Sequence, residues 1–221
     1  MNTAKIVAIT NPLIEGVNTA EEFIAYAARV SNPSNQINTE TSERLLRYCA
    51  RHAHWSVFEM ANVVMEIETT RDIARQILRH RSFSFQEFSQ RYADPTKDLG
   101  FVTREARLQD NKNRQNSIEI DDTLLQNEWY RSQQRVLFAV EREYKWAIDN
   151  GIAKEQARAV LPEGITISRM YMNGTMRSWI HYCQLRMTPG TQKEHREVAA
   201  SAWDQLATYL DFISSINNPK D

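Results

Sequence analysis

Apolar and polar positions change period several times along the chain, and each change marks an element. Residues 5–10, Lys-Ile-Val-Ala-Ile-Thr, are β-branched and predict a strand. Thr19-Ala-Glu-Glu places a hydroxyl cap before two acids, a helix start. Phe23, Ala27 and Val30 then keep helical spacing until Asn32-Pro33 stops it. A second helix is expected over about 40–52, with Leu45, Leu46 and Cys49 inward. Over 57–68 the period drops to two: Val63, Met65 and Ile67 alternate with Val64, Glu66 and Glu68, which reads as a strand. Residues 72–80 return to helix, with Ile73, Ile77 and Leu78 facing the core.

Residues 103–127 are the most polar stretch, and 104–117 reads as an exposed loop or poorly packed excursion. A long helix is expected over about 122–148, stopped by Asn150-Gly151, then a short one over 154–160 closed by Pro162. In 164–171, Ile165, Ile167 and Arg169 alternate against Thr166 and Ser168, another strand. Helices over about 175–185 and 192–215 precede a tail, about 216–221, expected to be loose. Helices outnumber strands in mixed order. The predicted fold is therefore α+β, with mixed helices and a small, mostly antiparallel sheet in one domain over 1–221.

Composition narrows the classes. The 221 residues suffice for one core, and 42% hydrophobic with 25% charged residues is an ordinary globular mix. Lys and Arg number 27 against 28 Asp and Glu, a net charge of −1, which argues against a nucleic-acid coat. No apolar run reaches bilayer length, and residues 1–11 lack a signal peptide's basic start and cleavage site. Two cysteines, Cys49 and Cys183, make neither a disulfide framework nor a cysteine zinc site, so a reducing, cytoplasmic compartment is expected. No glycine-rich dinucleotide or Walker loop is present.

Candidate chemistry concentrates in two places. Arg71, Arg75, Arg79, Arg81 and Arg91 stand against Asp72 and Glu87, a local balance of 5 − 2 = +3. Arg71, Arg75 and Arg79 would form one helical stripe, which alone reads as a solvated face. Arg79-His80-Arg81 is harder to dismiss, because it falls where the helix gives out. The segment that follows, 82–92, is rich in Ser, Phe and Gln. Guanidinium forks bind phosphates and aromatics stack on planar rings, so these are the parts of a pocket for a flat, anionic heterocycle such as a nucleotide. RNA binding by this segment is the rival reading, against which the near-zero net charge stands. The second cluster is Arg158, Arg177, His181 and Arg186. Arg177 and His181 share a helix face, and Arg186 lies about half a turn away, so one helix would offer polar groups to two different ligands or two different pockets. His181 alone would read as an ordinary half-buried histidine. His52 and His54 cannot share a helix face, and no metal site is expected.

Arg79-His80-Arg81, followed after seven residues by Ser89, is similar to the signature of the flavin-dependent thymidylate synthases. Four further elements keep the family's order: His54-Trp-Ser-Val-Phe-Glu59, Ala157-Arg-Ala-Val-Leu-Pro162, Thr175-Met-Arg-Ser-Trp-Ile-His181 continuing to Leu185-Arg186, and Gln192-Lys-Glu194. The resemblance spans about 27–203. The polar stretch 104–126 matches none of these elements, and Phe83, Phe85 and Phe88 make the signature loop unusually aromatic.

The resemblance implies methylation of dUMP to dTMP. FAD would be the bound cofactor, 5,10-methylenetetrahydrofolate the carbon donor and NADPH the reductant, with no cysteine nucleophile. It implies a homotetramer with active sites between subunits. By the same resemblance FAD would meet Ser56, Arg79, His80, Arg81, Glu87, Thr175, Met176, Arg177 and His181. The nucleotide would meet Gln76, Arg79, Glu87, Phe88, Ser89, Gln90, Arg91, Arg158 and Arg186. His54 would be needed near the flavin, and Arg186 would polarise the pyrimidine. A flavoprotein of different activity keeping the same FAD site is the remaining alternative.

Overall fold

A computed structural model describes residues 1–216. A four-stranded sheet, wholly antiparallel, organises them. Strands β1 (Thr3–Ile9), β2 (Asn62–Thr70), β3 (Ser84–Glu87) and β6 (Ile167–Thr175) lie in the order β1-β2-β6-β3. Alternation sets its faces. Val63, Met65 and Ile67 of β2, with Met170 and Met172 of β6, are fully or almost fully buried. The opposite face carries a polar ladder, in which Arg169 pairs with Glu68 and Tyr171 donates to Glu66 at 2.8 Å.

Helices α7 (Met176–Arg186) and α8 (Lys193–Tyr209) cover the apolar face, bringing Trp179, Ile180, Val198, Ala202 and Leu206 to one core. Ser201 and Gln205 of α8 accept from the Ala4 and Ile6 amides of β1, satisfying part of an edge strand. Helices α1 (Ala20–Ala28) and α2 (Ser42–Arg51) pack beside them. Helix α3 (Arg71–Ile77) leaves β2, and α4 (Pro95–Asp98) is a single turn. The long α5 (Thr123–Asp149) is followed by Gly151 at φ 76, the left-handed stop that its sequence predicts. Helix α6 (Lys154–Ala157) comes next.

Several expectations change. Helix α1 buries Ala20, Ile24 and Ala25, while Phe23 and Ala27 are half-buried and Val30 is exposed. A capping box closes its start, and Glu21 also turns inward, where it accepts from the Phe212 amide at 3.4 Å. The strand expected from residue 57 starts at Asn62, because Trp55–Glu59 forms a 3-10 turn that buries Phe58. Starting within the stretch read as a loop and ending just beyond it, β4 (Arg107–Gln109) and β5 (Ser117–Glu119) form a hairpin. It is pinned by Lys193 to Glu119 at 2.6 Å and by Arg107 to Glu194. Helix α3 ends at Ile77, so Arg79 lies beyond the expected stripe and Arg71 is buried. Helix α8 stops at Tyr209, and a 3-10 turn, Asp211–Ser215, seats Phe212 and Ile213 in the core. Of the expected tail, 217–221 lies outside the described residues. Among the described residues no helix is long and apolar enough to cross a membrane.

Candidate active site

The predicted residues fall into three groups, fixed by two strand-to-helix joints. Thr70 ends β2 and Arg71 starts α3; Thr175 ends β6 and its side chain caps α7 by accepting from the Ser178 amide at 3.2 Å.

The first group lines a cleft of about 210 Å³ between Arg71, Arg75, Gln90, Glu155, Arg158 and Glu163. Gln90 is 4% exposed, and among the described residues its Nε2 has no hydrogen-bond partner. Arg91 lies beside it, 3.4 Å from Glu155. Arg71 is held by Glu87 at 3.5 Å, and Glu87 also accepts from Ser168 at 2.8 Å. Glu87 is thus bound into the sheet, and Phe88 continues the pairing by donating its amide to the Arg169 carbonyl. Ser89 caps the next turn, its Oγ accepting from the Arg91 amide at 3.4 Å. A buried donor with no acceptor, flanked by guanidinium groups, suits an anion.

The second group sits at the start of α7. Arg177 pairs with Glu59, and His181 stands edge-on to Trp55 with ring centroids 4.7 Å apart. Burial, then Arg177, lowers the His181 pKa. Ser56 and His54 are exposed on the same 3-10 turn, where Ala53 holds a left-handed φ of 56. His54 packs edge-on against Tyr48 at 5.9 Å. Met176 is fully buried, so its side chain belongs to the core, and its amide donates to the Ala61 carbonyl at 2.9 Å. Arg79 and Arg81 are exposed on the turn after α3, and the next residue, Ser82, accepts through its carbonyl from the Ser178 hydroxyl of α7 at 3.4 Å.

The third group closes the other end of α7. The Arg186 Nε donates to His80 Nε2 at 2.9 Å. Burial, then the Arg186 charge, pushes the His80 pKa down to about 4, so His80 is a neutral acceptor at physiological pH. Among the described residues nothing pairs with the terminal amines of Arg186. Gln76 lies beside this pair, joined to His195 and to Gln192. Arg177 and Arg186 are both half-buried, but nine residues of helix place them at opposite ends of α7 with different partners, Glu59 at one and His80 at the other.

Tyr182 and His195 escape the sequence reading, although both are buried polar residues in the third group. They lie on successive helices thirteen positions apart, and no motif spacing links them. Gln192 falls within a short motif element, which does not announce its contact with Gln76.

The fold and these clusters define a mixed α+β domain with arginine clusters at the ends of its helices. The family described as thymidylate synthase complementing protein matches residues 12–210. A "probable flavin-dependent thymidylate synthase" of Paramecium bursaria Chlorella virus 1 is 49% identical over 96% of this chain and all of its own. A flavin-dependent thymidylate synthase of Synechocystis is 48% identical, over 90% of this chain and 91% of its own. Among solved structures, a UMP/dUMP methylase of Streptomyces cacaoi bound with 5-Br dUMP superposes with a TM-score of 0.78 at 25% identity. That match covers 98% of this chain and 94% of the other. This chain belongs to the flavin-dependent thymidylate synthase family.

Proposed function

We propose that this protein methylates dUMP to dTMP with FAD as its bound cofactor, 5,10-methylenetetrahydrofolate as carbon donor and NADPH as reductant. The working unit is a homotetramer with active sites between subunits. The observation that carries the nucleotide half is the unpartnered Gln90 Nε2 in the arginine-lined cleft, because a phosphate would supply its missing acceptor. Gln90, Arg91 and Arg158 are therefore the phosphate-side contacts, with Ser89 as a hydrogen-bond donor and Glu87 and Phe88 fixing the segment. Arg79 and Gln76 complete the nucleotide set.

The donor chemistry at the start of α7 fits a dinucleotide. Arg177, His181, Ser56, Thr175 and Met176 would hold FAD there, with Arg79, His80, Arg81 and Glu87 completing the site across subunits. When bound, the flavin supplies the hydride, and the protein supplies orientation and charge. His54, exposed beside that end, is positioned to act near the flavin. Arg186 is the group for the pyrimidine. Its Nε is held by His80, which leaves the terminal amines of a permanently charged fork to stabilise negative charge on the ring nitrogen and oxygens. Neither cysteine is suited to attack. Burial raises the pKa of Cys49 and raises that of fully buried Cys183 far more, so both stay thiols.

Turnover tests this reading. A yellow protein that releases FAD on denaturation and forms dTMP only with dUMP, folate donor and NADPH supports it. A yellow protein without dUMP-dependent turnover is a flavoprotein of another activity. Light scattering that finds a fully flavinylated monomer overturns the assembly.

A further inference from the structure

The Gln76 amide is held on both sides by other side chains. Its Nε2 is 2.8 Å from Gln192 Oε1, and Gln192 Nε2 is 2.9 Å from Glu194 Oε2. Its Oε1 is 3.3 Å from His195 Nδ1, and His195 Nε2 is 3.2 Å from the Tyr182 hydroxyl.

The polarity of this row is forced from one end. Glu194 is ion-paired with Arg107, their side chains being 10% and 11% exposed, so its carboxylate can only accept. Gln192 must then present its NH₂ to Glu194 and its carbonyl to Gln76. Gln76 must donate to that carbonyl, which turns its own carbonyl to His195. A carbonyl cannot donate, so His195 Nδ1 carries the ring proton. A neutral imidazole has one N–H, so Nε2 is bare and the Tyr182 hydroxyl donates to it. Burial, with Arg186 and His80 nearby, keeps the ring neutral, its pKa down at about 3. Reversing any one amide would set oxygen against oxygen and N–H against N–H at neighbouring contacts, an expensive fault in a buried row.

We propose that His195, its tautomer fixed by this row and its bare Nε2 satisfied by the Tyr182 hydroxyl, is a positioning residue that helps lock the Gln76 amide in one orientation for the nucleotide. The proposal rests on Gln76 meeting dUMP, as assigned under the proposed function. An amide free to flip presents donor and acceptor interchangeably. A locked one offers one remaining N–H and one remaining carbonyl lone pair in fixed places, so no ordering is left for the ligand to impose.

The test is a double-mutant cycle on the flavin-loaded, full-length enzyme, with dUMP affinity read by calorimetry. Tyr182→Phe keeps the ring that packs on His80 and Trp179 and removes only the hydroxyl. It is expected to weaken dUMP roughly 5-fold, the worth of one neutral hydrogen bond. Gln76→Ala is expected to weaken dUMP at least as much, and adding Tyr182→Phe to it should cost nothing further. Unchanged affinity in Tyr182→Phe overturns the proposal and leaves the role of Gln76 standing. Losses that multiply in the double variant also overturn it, since Tyr182 then acts by another route. Unchanged affinity in Gln76→Ala defeats the underlying reading and the proposal with it. Nitrogen-15 NMR of the histidines supplies a readout that needs no variant: His195 protonated at Nδ1 and bare at Nε2 agrees, and the reverse tautomer overturns the proposal.

Discussion

The two ends of α7 hold the same residue types with different partners. At the start, Arg177 is 42% exposed, already paired with Glu59, and His181 leans on the edge of Trp55. At the finish, Arg186 is half-buried against His80, with Tyr182 and His195 beneath. Burial strips both of those histidines of charge, which leaves Arg186 as the permanent cation of that end. An exposed ion pair like Arg177–Glu59 contributes little by itself. The same side-chain chemistry therefore acts as a contact surface at the Glu59 end and as a fixed field at the His80 end.

Exchanging one arginine at each end tests this division most severely. Arg186→Lys keeps the charge but loses the planar fork, and dTMP formation is expected to fall on the order of 10²–10³ with FAD retained. Arg177→Ala should loosen FAD first. Flavin content, dUMP affinity and turnover measured on both variants check the assignment, which is wrong if Arg186→Lys sheds FAD while keeping dUMP.

Acid should unpick the buried end. His80 and His195 titrate at about 4 and about 3 in the fold, against 6.5 ordinarily. The unfolded chain therefore binds more protons between these values, and stability rises with pH across that window. The histidine contribution is complete above pH 6.5 and is lost as pH falls towards 4 and then 3. Melting temperature followed from neutral pH downwards should drop there, and His195→Gln should shallow the drop.

Much of this architecture is legible in the amino-acid order itself. The alternation of Val63, Met65 and Ile67 and the arginine clusters speak through local spacing. The β4–β5 hairpin does not, since each strand has three residues and is held by Lys193 and Arg107 contacts from far along the chain. Strand β3 pairs four residues at a sheet edge and lacks a clean apolar period. Helix α1 spans nine residues, too few for spacing alone to choose between the Phe23 and Ile24 faces. The site divides similarly: the arginines fall within motifs, but Tyr182, His195 and Gln76 meet only because three elements pack together.

Smaller effects sharpen the contrast. A Cβ on Gly174 would lie 2.4 Å from the Phe83 ring, which packs edge-on against Trp179 beneath α7. Gly174→Ala should cost about 1–3 kcal/mol in denaturant unfolding, the range for forcing extra volume into a packed core. At the Glu59 end Ala53 sits at φ 56, where glycine is at ease. Ala53→Gly relieves that strain but loosens the unfolded chain, for a net gain of about 0.5 kcal/mol in the same measurement. Replacing Cys49 and Cys183 together by alanine should leave turnover intact. A folded, flavin-loaded variant without activity would restore a thiolate mechanism.

Each strand runs straight into its helix at the Thr70–Arg71 and Thr175–Met176 joints, which makes the sheet a gauge for the site. Asn62 pairs with Thr175 and Thr70 with Ile167, so α3 and α7 depart from opposite ends of the same strand pair. Yet the turn that follows α3 and the end of α7 meet at His80 and Arg186. One residue inserted into either strand would shift the register, displace the start of the departing helix by about 3.3 Å and exchange the two faces of the strand beyond it. Gln76 and Arg186 would then be displaced from each other with every helix still formed. Length changes are cheap in the exposed hairpin turn between β4 and β5, where Asn113 and Arg114 lie, and ruinous at the two joints.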